Sequence, residues 1–169
     1  MIIRDLHSLY SPMRRKVIDF LAYANLHTGE TYLVEPFETM RTPDRQQTVV
    51  GAGRSKAKTG YHPMGLAVDL WPSLPNGTWP TQKQLDEWEH WFTLGRMGQA
   101  FGFTWGGDWD SDGSSENETF LDRVHFQMTF GQPRDALERI YWESGSTAVW
   151  KHLDAVLENE KNLKNILEG

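Results

Sequence analysis

One carboxylate inside an apolar run restricts this 169-residue chain more than any other feature. Residues 65–71 read GLAVDLW, a compact strand-like segment whose single charge is Asp69. Burying an unpaired carboxylate costs several kcal/mol or more, so such a residue needs either water or a partner. Two readings follow. Asp69 faces solvent on an edge strand or caps a neighbouring group, or the interior supplies a cation for it. His62, three residues before Gly65, is equally open: an ordinary loop histidine or a ligand.

Composition narrows the second reading. The sequence holds no cysteine and six histidines. Disulfides and thiolate-bound zinc are excluded, so any metal site must use His, Asp, Glu or backbone oxygen. The charge is uneven. Residues 1–60 balance at +3, residues 61–133 at −7 and residues 134–169 at −2. An acidic middle argues against nucleic acid, which needs a basic face, and suits a cation. Eight tryptophans serve equally well as core or as the walls of a groove. No apolar run reaches membrane-spanning length, and the start, MIIRDLHSLYSPMRRK, shows no signal-peptide pattern.

The length fits one domain, expected over 1–169 with a core at about 11–130 and C-terminal helices at about 133–168. Ser11 and Pro12 form a helix start, with Met13, Val17, Phe20, Leu21 and Ala24 on one face and Gly29 as a stop. Residues 32–37 read as a strand, and Thr42-Pro43 opens a short helix. Residues 51–62 form a Gly- and Lys-rich loop. Thr81 with Gln84 makes a capping box for a helix expected to run to about Gly102. Residues 103–105 and 125–129 read as strands around an acidic excursion, DWDSDGSSENETFLD. Two further helices open at Pro133 and Ser146, the last with Val149, Leu153, Val156, Leu157 and Leu167 on its apolar side. Few short strands beside segregated helices predict an α+β fold with a small antiparallel sheet and helices packed around it.

A second chemical segment is Asp122-Arg-Val-His125. Alone, DxxH is a weak signal. Together, two histidines and one aspartate make a zinc set with the fourth position left to water. HxxGxAxD, then WGGDW, then DxxHF resembles the D-Ala-D-Ala metallopeptidase family, over residues 37–128. The family includes VanY-like D,D-carboxypeptidases and phage L-alanyl-D-glutamate endopeptidases. The resemblance implies a hedgehog/D,D-peptidase-like fold and zinc on His62, Asp69 and His125. It gives Asp122 the role of catalytic base and Arg41 that of carbonyl polariser; a salt bridge of Arg41 to Glu38 or Asp44 is the structural alternative. Many relatives carry Ser where this chain has Gly60. The substrate hydrogen bond is then either lost or supplied by Ser55 or Tyr61. Trp105 reads as core, and Trp109 as a cleft-flanking residue.

The resemblance implies hydrolysis of peptidoglycan stem peptides by a phage endolysin. A virion-associated wall peptidase and a non-catalytic zinc-containing binding module are the alternatives. The expected protein is a monomer without nucleic-acid or membrane partners, made in the host cytoplasm and acting on the cell wall after release or from a virion. Asp108, Asp110 and Asp112 with Gly113 follow the start of an EF-hand loop, with Glu116 at position 9 and Glu118 one residue short of position 12. A calcium ion there, or a hydrated acidic loop, are the two readings.

Overall fold

The computed structural model describes residues 1–28, 32–53, 60–74 and 76–168. The chain divides into two units, Met1–Met128 and Thr129–Gly169.

The first unit is α+β. Helix α1, Ser11–Thr28, is followed by β1, Leu33–Glu38, and α2, Pro43–Gly51. A 3-10 turn at His62–Met64 leads into β2, Ala67–Ser73. Two short helices follow, α3 at Gln82–Asp86 and α4 at Trp91–Ala100. Strands β3, Thr104–Trp105, and β4, His125–Gln127, complete an antiparallel sheet in the order β1-β2-β4-β3.

Helix α1 forms where the sequence places it. Met13, Val17, Phe20 and Ala24 recur at helical spacing, and all four are buried. Phe20 meets the rings of Phe101, Phe103 and Phe126 at centroid distances of 5.7, 5.7 and 5.3 Å. One helix face is thereby fastened to β4, one residue away from His125. Helix α2 begins with a Thr42 cap, whose hydroxyl accepts from the Arg45 amide, and with Pro43 in the first turn.

The helix expected from Thr81 to about Gly102 is two helices. The capping box of Thr81 and Gln84 is present, but α3 stops at Asp86. The Leu85 carbonyl accepts from the Trp88 amide at 3.3 Å and from the Trp91 indole N–H at 2.5 Å. Trp88 packs edge-on against Tyr32 and Trp91, each at 4.6 Å. Aromatic packing in WEHWF overrides the helical period.

Strand β1 contains a bulge that matters for the site. Pro36 pairs with Leu70, but Glu38 pairs with Asp69, so Phe37 is the extra residue. Asp69 in turn pairs with His125 across β2 and β4. Glu38, Asp69 and His125 thus form one row across three strands, and directly opposed residues share a face.

The second unit is helical, Arg134–Glu168, with a break at Gly145, whose φ of 78° and ψ of −179° are not helical. The two expected helices are the two sides of this break. Leu137, Val149 and Leu153 are buried. Leu167, expected on the apolar side, is 84% exposed, because the last turns of the helix carry no buried residue. No helix among the described residues is long and apolar enough to cross a membrane.

Removing the Phe20 ring should cost about 3–5 kcal/mol, as large-to-small core changes do. Denaturant unfolding of Phe20→Ala measures it; a loss below 1 kcal/mol would show that α1 does not anchor β4.

Candidate metal centre

Three elements deliver one ligand atom each. His62 opens the 3-10 turn before β2, Asp69 sits inside β2 and His125 opens β4. All three residues are buried. His62 Nε2 lies 3.0 Å from Asp69 Oδ1 and 3.2 Å from His125 Nδ1, and His125 Nδ1 lies 3.2 Å from the same carboxylate oxygen. The three atoms form a nearly equilateral triangle.

The outer faces of the rings decide which atoms can bind a metal. His62 Nδ1 lies 2.5 Å from the Thr39 carbonyl oxygen. A carbonyl only accepts, so Nδ1 carries the proton and a neutral ring turns its Nε2 lone pair inward. His125 Nε2 lies 3.0 Å from Gln127 Oε1, which in the same way leaves Nδ1 for the interior. Three acceptors then converge at 3.0–3.2 Å, which is repulsive without a proton or a cation between them. A tetrahedral metal with bonds of about 2.0–2.1 Å requires ligand-to-ligand edges of about 3.3 Å, close to the observed triangle. Thr39 and Gln127 are outer partners of the kind that orient metal-bound histidines. The residues fit a zinc ion, for which three protein ligands would leave the fourth position to water.

Where no cation sits between them, the imidazoles must share protons with the carboxylate. Burial by itself would raise the Asp69 carboxyl; His62 first, then His125 and Arg41, outweigh it and hold the group well below the usual carboxylate range. Burial by itself would lower His125, but Asp69 and Asp122 outweigh it and raise the imidazole. The Asp122 carboxyl is raised, first by burial and then by the charge of Asp69, against the opposing pull of His125, His62 and Arg41.

Arg41 follows the bulged end of β1. Its Nε donates to Glu38 Oε2 and one Nη2 hydrogen to Asp69 Oδ2, both at 2.7 Å. The alternative pairing with Glu38 is therefore real, but buried, and Arg41 joins it to Asp69. Glu38 also accepts from Arg45 Nε at 2.9 Å. Arg41, Asp69 and Asp122 line one cleft of about 390 Å³, a volume typical of small-ligand sites.

The WGGDW turn ties Asp122 to His125. The Gly106 amide donates to the His125 carbonyl at 2.9 Å, and the Asp122 amide donates to the Gly106 carbonyl at 2.7 Å. A Cβ at Gly106 would overlap the Asp122 carbonyl oxygen, so only glycine fits. Thr39 and Gln127 are site residues that no isolated motif marks. Their signal is adjacency to the ligands in register, legible only once the strands are paired.

The remaining expected residues fall as follows. Trp105 is fully buried and donates to the Arg123 carbonyl, a core residue. Trp109 packs on His125 at 5.5 Å, beside the centre. Tyr61 is buried, and among the described residues it does not line the cleft. Ser55 lies outside the described residues. Oxygen atoms of Asp108, Asp110 and Asp112 lie within 4.8 Å of one another. Glu116 and Glu118 do not join them. Glu118 Oε1 instead accepts from the Trp109 amide at 2.5 Å, because the loop closes one residue earlier than an EF-hand. Asp108 is buried with its carboxylate on Gln99 Nε2 and the Gly113 amide, away from the cleft.

Residues 53–128 match the sequence model of the family described as D-alanyl-D-alanine carboxypeptidase. Among solved structures, the chain is similar to the L-Ala D-Glu endopeptidase ChiX of Serratia marcescens. The TM-score is 0.52 at 25% identity, over 80% of this chain and 92% of that one. No curated protein sequence matches. The sequence segment and the fold together carry the likeness to the D-Ala-D-Ala metallopeptidase family, and both likenesses are to peptidases.

Chelation should lower the melting temperature of the purified protein, and added zinc should restore it, since a ligand of the native state stabilises by mass action. His62→Ala and Asp69→Ala should not respond to zinc. A zinc-dependent rise in either variant would remove that residue from the ligand set.

Proposed function

We propose that this protein is a zinc peptidase that hydrolyses stem peptides of bacterial peptidoglycan, as an endolysin of a phage. The single observation that carries the reading is the triangle of His62, Asp69 and His125, whose Asp69 also lines a cleft with Asp122 and Arg41. The likeness of the segment to D-alanyl-D-alanine carboxypeptidases and of the fold to an L-Ala D-Glu endopeptidase supports the substrate class.

Zinc on these three residues supplies Lewis acidity and lowers the pKa of water towards about 7. Asp122, its carboxyl raised by burial and by Asp69, accepts the proton of the attacking water and returns it to the leaving amine. Arg41 uses two of its five guanidinium N–H groups on Glu38 and Asp69. The rest are free to stabilise negative charge developing on the scissile carbonyl oxygen. No covalent intermediate is required. The protein acts as a monomer and reaches the wall after release or on a virion. Asp122 and Arg41 beside a full ligand set favour catalysis over a binding module.

The convergence of Asp108, Asp110 and Asp112 supports a second cation, calcium, in the acidic excursion. Close carboxylates repel one another unless neutralised. The excursion also ends at Asp122, so ordering it would set the base. Calorimetric titration of zinc-loaded protein with calcium should give saturable heat, abolished in Asp110→Ala. An absence of heat would leave a hydrated loop.

Digestion of purified peptidoglycan followed by mass spectrometry tests the main reading and names the bond. Asp122→Ala should keep zinc and fold while losing about a hundredfold or more in turnover, as for a positioned general base. Normal wall digestion by that variant would assign the base elsewhere. Arg41→Lys keeps the charge and loses the planar fork. Turnover should fall at nearly unchanged stability, and the reverse result would leave Arg41 a structural residue.

A further inference from the structure

The cleft contains a second arginine that the reaction does not use. Arg45 sits in the first turn of α2, four residues after Arg41, and lines the same cleft as Asp69 and Asp122. Its side chain is 21% exposed, half-sunk and still open to the cleft. Its Nε donates to Glu38 Oε1 at 2.9 Å. Among the described residues, its two Nη groups have no hydrogen-bond partner. Arg41 is differently placed, with Nε and Nη2 both engaged.

Glu38 is the device that separates the two roles. It is buried and gives one carboxylate oxygen to each arginine. The bulge at Phe37 puts Glu38 opposite Asp69, so Arg41 is drawn towards the metal ligands. Arg45, held through Nε alone, presents the outer edge of its guanidinium, a planar fork of N–H donors that matches a carboxylate.

The charge of the cleft asks for such a ligand. Its lining carries Glu38, Asp69 and Asp122 against Arg41 and Arg45, one negative charge in excess. A divalent cation on the ligand triangle turns that into one positive charge in excess, complementary to an anionic substrate.

We propose that Arg45 recognises a free carboxylate on the substrate residue that supplies the leaving amine, with Glu38 as its positioning residue. The inference rests on the peptidase reading and adds to it a required substrate group. It holds for either candidate bond. In an L-alanyl-D-glutamate bond whose glutamate continues through its γ-carboxyl, the carbon next to the scissile nitrogen bears a free α-carboxylate. In a terminal D-alanyl-D-alanine bond the same carbon bears the C-terminal carboxylate. One guanidinium in the cleft serves both.

The test uses the full zinc-loaded chain and paired synthetic stem peptides that differ only at this group, free carboxylate or carboxamide. Wild-type protein should cut the acid about 10- to 100-fold more efficiently than the amide, as expected for loss of a charge-assisted hydrogen bond. In Arg45→Gln that ratio should fall towards one, and Arg45→Lys should recover part of it. Equal cleavage of acid and amide by wild type would overturn the proposal, as would full retention of the preference in Arg45→Gln. Calorimetric binding of both peptides to Asp122→Asn reads the preference without turnover. A preference in binding with no cleavage by wild type would keep the carboxylate site and refute the peptidase reading instead.

Discussion

Everything in this site is arranged around the burial of Asp69. An isolated carboxylate in that position would be driven to neutrality. Here one oxygen faces two imidazole nitrogens and the other accepts from Arg41. Each partner needs its own support. Thr39 holds His62, Gln127 holds His125 and Glu38 holds Arg41. The result is a polar network in which each member's outer hydrogen bond fixes what it can offer inward. Such networks specify structure when they are complete and are costly when one member is lost.

The sheet makes the network possible with little material. Glu38, Asp69 and His125 are neighbours in one cross-strand row, so the pleat itself brings them to one face. The bulge at Phe37 is what admits Glu38 to that row. Without the extra residue the side chains beyond it would alternate to the opposite face. The WGGDW turn then hydrogen-bonds to Asp122 and His125 through backbone alone, fixing the one relative to the other.

Much of this was readable in the sequence, and the parts that were not share a cause. The convergence of His62, Asp69 and His125 was legible because a charge inside GLAVDLW and a histidine opening an apolar strand are both locally anomalous. Helix α1 was legible because Met13, Val17, Phe20 and Ala24 keep a strict period. The break between α3 and α4 was not, since it depends on Trp88 meeting Tyr32 more than fifty residues earlier. Glu38 was visible only as a salt-bridge partner for Arg41. Its link to Arg45 and its place opposite Asp69 arise from a bulge, which leaves no mark in the composition of the strand. Thr39 acts through its carbonyl, an atom common to all residues, so no side-chain pattern could have singled it out.

The three residues of β4 have a consequence for the order in which the molecule assembles. So short a strand has few ladder bonds of its own, and each backbone hydrogen bond adds only about 0.5–1.5 kcal/mol net. Its first residue, however, belongs to the candidate metal triangle, and the other two members lie 56 and 63 positions earlier in the chain. Contacts of such separation close late, after the loop entropy between them has been met. A nascent chain that has emerged only as far as β2 carries His62 and Asp69 but no third ligand. If an ion binds these three residues, its capture would check completion of the first unit, and a chain truncated before His125 would leave the ribosome without a centre to load.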